Sequence, residues 1–211
     1  MATSRRTPSH SAPTRAVTPA ARAQQAATAK AKQIAPHVPA PIGSTPRTKF
    51  RGNPDIFGRL VEDHDHHRAL LAMVGSTKAG SSERPKLFKE LYKELSSHAA
   101  AEEQALWSSV MRNPATTPEA RHAVAEHKEI DGMLADLAAR DMSSPSWLRR
   151  FAKLREEYLH HIGEEEQEQF VAAQKHLTPG DVRYMQQVFN RRKREEKAAV
   201  KVTPKIKLKP V

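Results

Sequence analysis

The sequence predicts an all-α protein: an up-down-up-down antiparallel four-helix bundle with a short extra C-terminal helix and disordered basic tails. Three observations carry that reading. Apolar residues recur at spacings of three and four, the buried stripe of a bundle helix, and no alternating strand pattern occurs. Capping residues followed by proline mark helix starts at Asn53-Pro54, Thr117-Pro118, Ser144-Pro145 and Thr178-Pro179. Finally, a shift of 63 residues lays the chain on itself. Val61, Asp63, His64 and Leu71 fall on Val124, Glu126, His127 and Leu134, and Phe88, Leu91, His98 and Glu102 on Phe151, Leu154, His161 and Glu165. A helical hairpin is read as duplicated, which fixes four main helices.

The first predicted helix runs about 54–74, with a seam of Ile56, Leu60, His64, His67, Leu71 and Val74. After the Gly/Ser stretch 75–82, with Ser81 or Ser82 as cap, the second runs about 84–112 through Phe88, Leu91, Leu95, His98, Glu102 and Leu106. The third, about 118–139, carries Ala120, Val124, His127, Asp131 and Leu134. The fourth, about 145–176, carries Trp147, Phe151, Leu154, Tyr158, His161 and Glu165. Short links make neighbours antiparallel. A last helix, about 179–196, shows Val182, Met185 and Phe189 and is expected across one end of the bundle. The divisions are a tail over 1–52, the bundle over 53–177, the extra helix over 178–197 and a second tail over 198–211.

Charge sorts with these divisions. Residues 1–54 hold nine Lys/Arg and no acid, and residues 191–211 hold nine Lys/Arg and two Glu. The ends thus carry +9 and +7 of the overall +11, leaving the middle at −5. The first fifty residues have few large apolar side chains to offset the entropy of ordering, so disorder is expected there. Arg5-Arg6 is not followed by the apolar run of a secretion signal, and a solvated tail fits the Pro-rich start better than an organellar transit peptide. Either tail offers weak contact to nucleic acid or another acidic surface, but apart from Phe50 they lack the aromatics that stack bases. No run approaches the ~18–20 apolar residues of a membrane span. The expected location is the cytoplasm. Cysteine is absent, which excludes disulfides, thiolate ligands and cysteine nucleophiles.

The oddity is polar chemistry on apolar seams. In His98-Ala-Ala-Ala-Glu102 and His161-Ile-Gly-Glu-Glu165 a histidine stands four residues before a carboxylate, so both aim at one point on a helix face. An unpaired polar group inside a bundle costs on the order of 1–3 kcal/mol. His64, His98, His127, His161, Glu102 and Glu165 therefore read as metal ligands, since cations take neutral imidazoles and anionic carboxylates and make such a layer favourable. His67, one turn from His64, reads as a supporting donor or extra ligand. His66, His122 and His160 fall off the seams and read as surface residues. A rival Glu-x-x-His pattern at Glu119/His122 and Glu157/His160 is set aside because those histidines lie about 140° from the seam centres.

Glu-Asp-His64, His98-x-x-x-Glu102-Glu, Glu-His127 and His161-x-x-x-Glu165-Glu, in that order over about 54–176, resemble the hemerythrin-like, or HHE cation-binding, domain. The resemblance implies two non-haem iron ions (Fe2+/Fe3+), oxo- or hydroxo-bridged, with the four histidines as terminal ligands and Glu102 and Glu165 spanning the pair. It implies a small oxidant as partner: O2, peroxide or nitric oxide. The chain departs from the oxygen carriers in lacking a second histidine four residues from His127, where Ala123 and Asp131 stand, and in its His161 spacing, which makes Glu166 an alternative to Glu165. An open position, or one taken by Asp131, follows. The expected function is metal and oxygen binding. Peroxide or nitric oxide turnover is the enzymatic alternative, and a responsive interaction protein working through its tails is the third.

Overall fold

The computed structural model describes residues 18–202, and every regular element among them is helical. There are six helices: α1 Pro19–Lys32, α2 Ile56–Gly75, α3 Glu83–Glu102, α4 Thr117–Ala138, α5 Pro145–Glu164 and α6 Pro179–Ala199. α3 continues through a π-helical turn, Glu103–Trp107, into Ser108–Val110, and α5 through a second, Glu165–Gln169, into Phe170–Gln174. The sequence reading had both as unbroken helices. Each π turn begins at or just after the carboxylate of a His-x-x-x-Glu pair.

Most starts follow the capping chemistry. Ser144 accepts from the Trp147 amide, and Thr178 and Asp181 form a reciprocal capping box. Two starts differ. Thr116 rather than Thr117 stands at the N-cap position of α4, without a side-chain cap bond, and Asp55 rather than Asn53 caps α2, accepting from the Gly58 amide at 3.0 Å. Gly58 is required there: a Cβ would stand 2.0 Å from the Asn53 carbonyl oxygen.

α2 packs on α3 and α5, and α4 packs on α3 and α5, which closes a ring of four. Two apolar clusters fill it. One gathers Leu70, Leu71, Leu91, Leu95, Leu134, Trp147, Phe151 and Leu154. The other gathers Phe57, Leu60, Leu106, Trp107, Ala120, Phe170, Met185 and Phe189. His64, His98 and His127 fall between the two clusters along their helices, and His161 falls at the inner edge of the first.

The expectation of a disordered tail through residue 52 is corrected. Residues 19–50 carry α1 and bury Ala27, Ala31, Ala35, Val38 and Phe50. Alanine supplies helix propensity and lets α1 approach α2 closely, and Phe50 closes an aromatic trio with Phe57 and Phe170 at centroid distances of 4.9 and 6.0 Å. Few large apolar residues suffice because the small ones pack on a surface already built. The N-terminal cations also turn inward: Lys30 pairs with Glu94 at 3.3 Å and Arg51 with Asp65 at 2.8 Å. The expectations for tail residues 1–17 and 203–211 lie outside the described residues.

α6 packs lengthwise along α3 and α2, not across one end. With α1 and α6 covering it, α2 has almost no exposed face. His66 is therefore buried, its Nδ1 3.2 Å from the Ala27 carbonyl oxygen, and its reading as a surface residue is corrected. His122 and His160 are exposed, as their positions predicted.

Candidate metal centre

The six sequence-predicted residues converge in one buried layer. All of them are at most 4% exposed. Glu102 lies between two histidines, its Oε2 3.4 Å from His98 Nε2 and 3.6 Å from His127 Nε2. Glu165 lies between the other two, with Oε2 3.3 Å from His64 Nε2 and Oε1 3.5 Å from His161 Nε2. His64 and His98 bring their Nε2 atoms within 3.2 Å of each other. The rings of His127 and His161 pack edge to face at 4.8 Å. Donor atoms of His64, His98 and Glu165 form one group within 4.8 Å of one another, and those of His127, His161 and Glu165 form a second.

A further carboxylate stands behind each histidine. His64 Nδ1 is 2.9 Å from Glu166, His98 Nδ1 3.2 Å from Asp63, His127 Nδ1 3.0 Å from Glu103, and His161 Nδ1 2.9 Å from Glu126. Assigned from this network, the proton sits on Nδ1 and donates outward, and each Nε2 turns a lone pair inward. Sequence reasoning placed Asp63 and Glu126 in the repeat and Glu166 as a possible ligand, but gave none of the four this bracing role. The same 63-residue offset relates Asp63 to Glu126 and Glu103 to Glu166. Glu166 thus braces His64 and is held by Arg68 at 2.8 Å, instead of replacing Glu165. Asp131 is on the surface, accepting from Ser96 at 2.9 Å, and does not join the layer.

The electrostatics call for a cation. Burial and the charge of Glu102 push the Glu165 carboxyl well above the usual range. Burial opposes ionisation of Glu102 too, but the imidazoles of His98 and His127 beside it hold it down at about 2. Burial lowers His64, and it takes His161 down to about 4 despite Glu126. Both oxygens of Glu102, both of Glu165 and His127 Nε2 have no hydrogen-bond partner. Five orphaned acceptors facing one another in a dry layer are the donor set a transition-metal ion takes. Another grouping, Asp63, His67 and His98, fits poorly. Its Asp63 is already neutralised by Lys193 and by Arg59 at 2.6 Å, and His67 is bonded to Tyr158 at 2.6 Å.

A helical bundle with paired histidines on either side of two carboxylates defines a cation-binding protein of the all-α class. The family model described as the Hemerythrin HHE cation binding domain matches residues 55–173, and the chain belongs to that family. A crystal structure titled as a Hemerythrin HHE cation binding domain-containing protein from Mycobacterium kansasii has the same fold. It matches with a TM-score of 0.61 and 21% identity, over 73% of this chain and 90% of that one. No curated protein matches the sequence.

Proposed function

We propose that the layer holds two non-haem iron ions, one toward His64 and His98 and the other toward His127 and His161, with Glu102 and Glu165 serving both, and that it binds O2 or a related small oxidant. The observation that carries this reading is the set of unpartnered buried acceptors on those two glutamates, flanked by inward-facing Nε2 atoms. Bound iron would supply reversible one-electron redox chemistry toward O2, peroxide or nitric oxide. The chain's own part is to hold four imidazoles by their outer carboxylates, to keep bulk water out with the apolar clusters above and below, and to admit one small molecule. The alternation of the two clusters along successive helices supports the up-down-up-down antiparallel arrangement. Turnover of peroxide or nitric oxide is the second reading. It is favoured by Asp131 staying on the surface, which leaves six ligand residues for two ions. A cytoplasmic setting remains the proposed one.

Full-length protein from iron-replete, aerobic expression is expected to carry about two irons per chain and to show near-ultraviolet charge-transfer absorption, both lost in His127→Ala. Protein without metal, or a variant with unchanged iron and spectrum, would refute the assignment. Peroxide or nitric oxide consumption per iron, compared between the native chain and His161→Ala, separates binding from turnover.

A further inference from the structure

Two more His-x-x-x-Glu pairs lie outside the interior layer: His122 and Glu126 on α4, and His160 and Glu164 on α5. They share the spacing of His98/Glu102 and His161/Glu165. The α5 pair is one residue earlier, and so turned about 100° to the outside. His122 Nε2 stands 3.2 Å from Glu164 Oε2 and 3.5 Å from Glu126 Oε1. One donor from each of these three lies within 4.8 Å of the others. His160 Nε2 stands outside that trio, 3.2 Å from the other oxygen of Glu164, Oε1. Donors around a tetrahedral ion at about 2.0–2.2 Å are separated by roughly 3.4 Å, so these are ligand-to-ligand distances. Among the described residues no lysine or arginine pairs with Glu126 or Glu164, and imidazoles are the partners of both. Glu126 is also used twice, Oε1 facing this cluster and Oε2 facing His161 Nδ1.

We propose that His122, Glu126, His160 and Glu164 form a surface site for a divalent transition-metal cation of the Fe2+/Zn2+ class. Two imidazoles and two carboxylates suit such ions better than Mg2+ or Ca2+, which take oxygen alone. The site captures the cation in solvent, one carboxylate away from the interior histidines. It rests on its own donors and not on what the interior layer holds.

The test is equilibrium dialysis of the full chain against micromolar free Zn2+, beside the double variant His122→Ala/His160→Ala and the single variant Glu164→Gln. The histidine side chains are 56% and 63% exposed, so the double variant is expected to unfold at the native midpoint. It is expected to bind one Zn2+ fewer per chain, and Glu164→Gln to weaken that same ion at least tenfold. Were the interior layer to take no metal, the count would fall alike in all three proteins and the difference of one would persist. Equal Zn2+ counts and affinities in all three would overturn the proposal and leave ordinary imidazole–carboxylate pairs.

Discussion

Glu102 and Glu165 are the same residue type, four positions after a histidine on equivalent helices, yet their carboxyls titrate in opposite directions. The cause is that two carboxylates in one dry layer cannot both ionise without a cation. Glu165→Gln is therefore expected to change the stability of the metal-free protein by less than about 1 kcal/mol, because a neutral amide replaces a carboxyl already held neutral. The same change is expected to remove most of the iron proposed for this layer. Urea unfolding of the metal-free proteins, with iron per chain measured beside it, checks both halves. His161 offers a second test. Buried and held down to about 4, its ring is expected to stay neutral in the metal-free protein until the pH approaches that value, as followed by imidazole NMR shifts. Between the ordinary histidine value of about 6.5 and about 4 the unfolded chain binds the extra proton. His161 therefore contributes stability that is complete above about 6.5 and is lost as pH falls, roughly 3 kcal/mol in all. A midpoint near 6.5 in the folded protein would remove that contribution. At this scale the sequence was informative about the inner donors, because four histidines shared one offset with their apolar neighbours. The outer carboxylates obeyed the same offset. Their role as braces was not legible, because which ring an acid one residue from a ligand meets depends on the partner helix.

Helix positions were legible and helix interruptions were not. The π turns at Glu103–Trp107 and Glu165–Gln169 leave no mark in an apolar stripe, since Ala105, Leu106 and Trp107 are all buried across the first of them. α1 was also missed, for a different reason. Its apolar content is alanine, whose burial depends on a neighbour and not on hydrophobic periodicity. Phe50 measures how much the segment matters. Fully buried against Phe57 and Phe170, it is expected to cost about 3–5 kcal/mol on replacement by Ala. A solvated tail would lose nothing, so a denaturation midpoint equal to the native one would restore the tail reading.

Across the whole molecule, Glu94 fastens the outer helices to the ring. Fully buried on α3, it meets Lys30 of α1 at 3.3 Å and both Lys193 and Lys197 of α6 at 2.7 Å, with His66 at 3.6 Å. Burial opposes its charge, but the nearby rings of His66 and His67 and the charge of Lys193 hold it far below the usual carboxylate range. Glu94→Ala is expected to destabilise by about 3 kcal/mol, the low end for breaking a buried pair, since Lys193 keeps Asp63 and Lys197 keeps Glu90. Thermal unfolding measures the loss, and faster amide exchange in α1 and α6 would locate it. Among the described residues no helix is long and apolar enough to cross a membrane. The general architecture was readable because it follows from periodicity. The attachment of both ends was not, because lysines counted as tail charge turn out to be counterions for an acid that the stripe had placed nowhere.

Arg51 gives the N-terminal segment a longer reach than its position implies. It grips Asp65, which Arg68 also holds, and Arg68 in turn grips Glu166, the brace of His64. The match to the family begins at residue 55. A chain trimmed to that border would retain every inner donor while losing the first link of the relay that steadies one ring. Proteins alike across the shared region can thus differ in how firmly that imidazole is aimed, through residues that a domain boundary would discard.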